Sequence, residues 1–82
     1  MDTKHDLKHA RKLRREAIRR AKHELRNAQD ALDKNARRER KQGIDFETST
    51  FLDLNNAAHA AHRQLKAARR RKAADYLRDA RA

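Results

Sequence analysis

Residues 37–50, Arg37-Arg38-Glu39-Arg40-Lys41-Gln42-Gly43-Ile44-Asp45-Phe46-Glu47-Thr48-Ser49-Thr50, mark where the chain is expected to reverse direction. Gly43 is the only glycine among 82 residues, and proline is absent. Glycine alone enters the left-handed backbone region without steric cost, and this one follows a run of cations suited to the negative end of a helix dipole. A helix is therefore expected to stop here. The next residues carry side-chain oxygens able to cap the free N–H groups of a new helix. Thr50, with Asp53 three positions on, is the expected start, and Asp45 or Thr48 is the alternative.

Toward the N-terminus, Leu7, Ala10, Leu13, Ala17, Ala21, Leu25, Ala28, Leu32 and Ala36 recur every three or four residues, which is the period of an α-helix. Ile18 thickens that face, and Thr3 with Asp6 resembles a capping box. Toward the C-terminus, Phe51, Leu54, Ala58, Ala61, Leu65 and Ala68 form a heptad-like seam that is interrupted at Lys72 and resumes at Tyr76. Two such helices joined by a short loop lie antiparallel. The expectation is an all-α, coiled-coil-like antiparallel helical hairpin forming a single domain over residues 1–82. Its helices span about 3–41 and about 50–80, with a loop over about 42–49.

The core available to this hairpin is thin. Leu, Ile and Phe supply 12 of the 82 residues and Val none, while Ala supplies 16. So little bulky apolar surface beside a net charge of +11 would suit a disordered chain, but the abundance of Ala, Arg, Lys and Leu suits long helices. A hairpin with so small a core is expected to acquire a partner. Pairing of two copies into a four-helix bundle is the simplest form of that partner, so a homodimer is expected.

The charge is unevenly placed. Residues 1–23 and residues 54–82 each carry a net +6, whereas residues 24–53 carry −1. Reversal at Gly43 gathers the excess at the end where the termini meet. Lys8, Lys12, Arg15, Arg19, Lys22 and Arg26 follow the helical period on the side away from the apolar face, and His59, Arg63, Lys66 and Arg70 answer on the second helix. Like charges so spaced repel one another, and an anionic partner relieves them. Rows of Lys and Arg bind phosphates with release of counterions.

Arg14, Arg69 and Lys72 fall on or beside the apolar faces near the open end. If facing residue numbers add to about 91, Arg14 lies near Tyr76 and Leu77 and stacks on Tyr76, or else the end splays and these cations meet the ligand. The histidines at 5 and 9 and at 59 and 62 have helical spacings, but no third ligand converges, so no metal or other cofactor is expected. No nucleophile-and-base constellation and no phosphate-cradling glycine loop is present, so neither an enzyme nor a small-molecule substrate is expected. The seam lacks Trp and is rich in Ala, which argues against membrane insertion. Cysteine is absent and no apolar leader opens the chain, so a cytoplasmic location is expected.

Two functions fit these residues. The first is a small basic accessory protein binding nucleic acid, DNA or RNA, without sequence specificity through Lys8, Lys12, Arg15, Arg19, Lys22, Arg26, Arg63, Lys66 and Arg70. No zinc-finger, aromatic-strand or three-helix motif for base reading is present. The alternative is a protein-binding adaptor or inhibitor of the phage- or plasmid-encoded kind, docked by a helical face on an acidic host protein surface. The loop adds a further candidate contact, since Ile44, Phe46, Phe51 and Leu52 form either a protein-docking tip or a cap that closes the hairpin.

Overall fold

The computed structural model describes residues 3–82; Met1 and Asp2, the first residues of the expected leaderless N-terminus, lie outside the described residues. Every regular element among them is a helix: α1 (Thr3–Lys41), α2 (Ser49–Arg70) and α3 (Ala73–Arg81). α2 and α3 both pack along α1, so α1 is the spine and the rest of the chain folds back on it.

The reversal uses the chemistry expected of Gly43. Its φ is +75°, and the Ile44 N–H donates to the Glu39 carbonyl at 2.9 Å while the Gly43 N–H donates to the Arg40 carbonyl at 3.1 Å. These are the two bonds of a Schellman stop, which satisfy carbonyls that the end of α1 would otherwise leave bare. The start of α2 falls earlier than Thr50. Thr48 is the N-cap, its hydroxyl accepting from the Phe51 N–H at 3.0 Å and donating to the Glu39 carboxylate, so one side chain ties the new helix to the old.

The second arm is broken, where a continuous helix over about 50–80 was expected. At Arg71 (ψ 133°) and Lys72 (ψ 149°) the backbone is extended. Carried on in helical phase, α2 would place Lys72 on the line of Leu54, Ala61 and Leu65 that meets α1. The break leaves Lys72 exposed and brings half-buried Ala73, Tyr76 and Leu77 round to α1 instead.

Burial is shallow. Among the described residues only Ala10, Ala61, Leu65 and Asn35 are buried, and no side chain is completely enclosed. The molecule is a ribbon of 63 × 17 × 15 Å with a radius of gyration of 18.1 Å, against about 12 Å for a compact domain of this length. Its accessible surface is 6841 Å², roughly 1,700 Å² above that of a compact monomer of the same mass. Two helices have too few neighbours to close a core.

Candidate nucleic-acid interface

The basic rows stand on the faces that the hairpin leaves outside. Lys8, Lys12, Arg15, Arg19, Lys22 and Arg26 on α1, and Arg63, Lys66 and Arg70 on α2, are all exposed. The α1 row covers about 27 Å, the rise of 18 helical residues. It ends where Asp30 and Asp33 occupy the same helical phase beside Lys34 and Arg37. Toward the N-terminus, His5, Lys8, His9, Lys12 and Arg15 line a shallow hollow.

None of these nine cations forms an ion pair within the described residues. Among the described residues, ion pairs join Arg71 to Asp79, Arg78 to Asp75 and Arg81 to Asp6, each involving α3. The Arg81–Asp6 contact, at 2.7 Å, fastens the end of α3 to the first turns of α1 and brings the two basic ends of the chain together. Asp6 and Asp79 thus hold α3 to its neighbours, and the rows keep their charge.

Arg14 corrects two readings at once. It neither stacks on Tyr76 nor faces a splayed end. Its Nε donates to the Arg71 carbonyl at 3.1 Å and its terminal nitrogen to the Arg69 carbonyl at 2.8 Å, so it caps the C-terminus of α2 across the hairpin. The cation over the Tyr76 ring is Arg71, 4.7 Å from its centroid, while the Tyr76 hydroxyl donates to the Ala68 carbonyl at 2.9 Å. Facing partners therefore lie at least a helical turn nearer the loop than a pairing sum of 91 places them, as Asp6 with Arg81 and Glu39 with Thr48 also show.

The tip residues are divided. Phe46 is 68% exposed and Leu52 43% exposed, whereas Ile44 and Phe51 are half-buried; Ile44, Phe46 and Phe51 line one open hollow with Ala36 and Glu39. Asn35 was missing from the sequence reading. It is 4% exposed and its amide nitrogen has no hydrogen-bond partner. Its spacing from Ala28 and Leu32 put it on the apolar face, and that was the available signal.

Among the described residues, no three His, Asp or Glu side chains come together in a cluster suited to a metal ion, and no helix is long and apolar enough to cross a membrane. No protein-family model, no curated protein and no solved structure matches the chain.

Proposed function

We propose that this chain is a small accessory protein that binds the phosphate backbone of nucleic acid, without reading sequence, through the cationic pole where its termini meet. The observation that carries this reading is nine exposed Lys and Arg side chains in helical rows, none of them ion-paired among the described residues. Rows of like charge every three or four residues destabilise the helices that bear them, and phosphates remove that repulsion on binding. Arg14 and Arg71 are excluded from the interface because each is engaged within the hairpin.

The reading includes pairing of two copies. The surplus surface of roughly 1,700 Å² exceeds the ~800 Å² that each partner contributes to a standard interface. A second hairpin would cover the half-buried edge of the Leu–Ala seam. Sedimentation at several concentrations tests this, and a monomer at every concentration contradicts it.

Affinity for two unrelated DNA duplexes and one RNA duplex, measured across a salt series, tests the main claim. With four or five phosphates engaged, log K falls with log salt at a slope of about −4 for all three. Affinity that is flat in salt, or confined to one sequence, contradicts it. The rival reading is a protein-binding adaptor or inhibitor that docks its basic helical face on an acidic host protein surface, with exposed Phe46 and Leu52 at the near-neutral tip as a further contact. It predicts a stoichiometric protein partner in a pull-down that survives nuclease treatment.

A further inference from the structure

The two basic rows point away from each other. With about 100° of rotation per residue, the row from Lys8 to Arg26 lies roughly 160° around α1 from the line of Ala10, Ala17, Ala21 and Asn35. That line is the buried or half-buried one. Arg63, Lys66 and Arg70 lie about 150° around α2 from the inward line of Leu54, Ala61 and Leu65. Because α1 and α2 pack side by side, each row occupies an outer flank of the ribbon, on opposite sides of it.

The backbone cross-section of 17 × 15 Å separates the flanks before any side chain is added. The major groove of B-form DNA is about 12 Å wide, so the ribbon does not lodge in one groove with a row against each strand. We infer that a single hairpin bridges two nucleic-acid duplexes, one held by the α1 row and one by the α2 row. This rests on the polyanion-binding reading above. Bridging would be confined to the half of the ribbon nearer the termini, since Asp30 and Asp33 close the α1 row. The α1 flank, with six cations against three, is the tighter side.

Mixed donor- and acceptor-labelled duplexes of about 25 base pairs, several times the ~8 base pairs beside the α1 row, give the test by two-colour coincidence. Wild-type protein is expected to produce coincident duplexes. An α2-flank variant (Arg63→Gln, Lys66→Gln, Arg70→Gln) is expected to keep binding single duplexes and to lose coincidence to the background of duplexes alone. A control of equal charge loss near the loop (Arg37→Gln, Arg38→Gln, Arg40→Gln) is expected to retain it. Circular dichroism establishes that each variant keeps its helix.

Coincidence that survives in the α2-flank variant would mean that paired copies each use only the α1 flank, and it overturns the inference. So does equal loss in the loop control, which would make bridging a matter of total charge. Single-duplex binding by the wild type without coincidence overturns bridging and leaves the binding reading intact. Failure to bind any duplex overturns both.

Discussion

Replacing Arg14 with alanine removes two hydrogen bonds from a charged donor to the carbonyls of Arg69 and Arg71. Such bonds are partly exposed here, so a loss of about 1–2 kcal/mol is expected in urea unfolding. Arg14→Lys should recover only part of it, because an ammonium cannot fork between two carbonyls. Equal stability of Arg14→Ala and wild type would show that the cap contributes nothing. Asn35 predicts the opposite sign. Leu at this buried position removes an unpartnered amide and should raise stability by about 1 kcal/mol, with a lower unfolding midpoint as the contrary result. The place of Asn35 on the apolar face was legible from its spacing, but the role of Arg14 was not. Arg14 stood out as a cation on an apolar face, but its partner depends on the register, which Thr48 and Glu39 set at the loop.

At the level of elements, the C-terminal end of α1 was legible because Gly43 follows the last turn of the apolar period. The break at Arg71–Lys72 was half legible. The interruption of the seam at Lys72 is visible in the sequence, but whether a helix tolerates it or breaks depends on Arg14 arriving from α1 to cap the exposed carbonyls. α3 has nine residues, none of them buried, and is fastened by Arg81–Asp6, by Tyr76 and through Arg14. Its amides should exchange with deuterium sooner than those in the middle of α1 and α2, and Arg14→Ala should widen that gap. Uniform protection across the three helices would mean that α3 opens only with the whole fold. Thr48→Ala should cost about 1 kcal/mol through loss of the α2 cap. The check is the unfolding midpoint, and an unchanged value would leave Thr48 without a capping role.

At the scale of the whole molecule, the exposure of both cationic rows was legible from periodicity, since residues in phase opposite the seam face solvent in any hairpin. Their placement on opposite flanks follows from the same phase once α1 and α2 pack seam to seam, whereas the offset between facing residues was not legible, because Thr48 and Glu39 set it at the loop. Location of charge separates this account from simple polycation behaviour. A pole variant (Lys12→Gln, Arg15→Gln, Arg19→Gln) and a loop variant (Arg37→Gln, Arg38→Gln, Arg40→Gln) each lose three charges from the net +11.

The decisive measurement is the affinity of these two variants for one duplex across a salt series. If the pole is the binding surface, the pole variant alone shows a salt slope shallower by about 2–3 units, with the loop variant close to wild type. Equal changes in the two variants would contradict this, because binding would then follow total charge and not the pole that the hairpin creates.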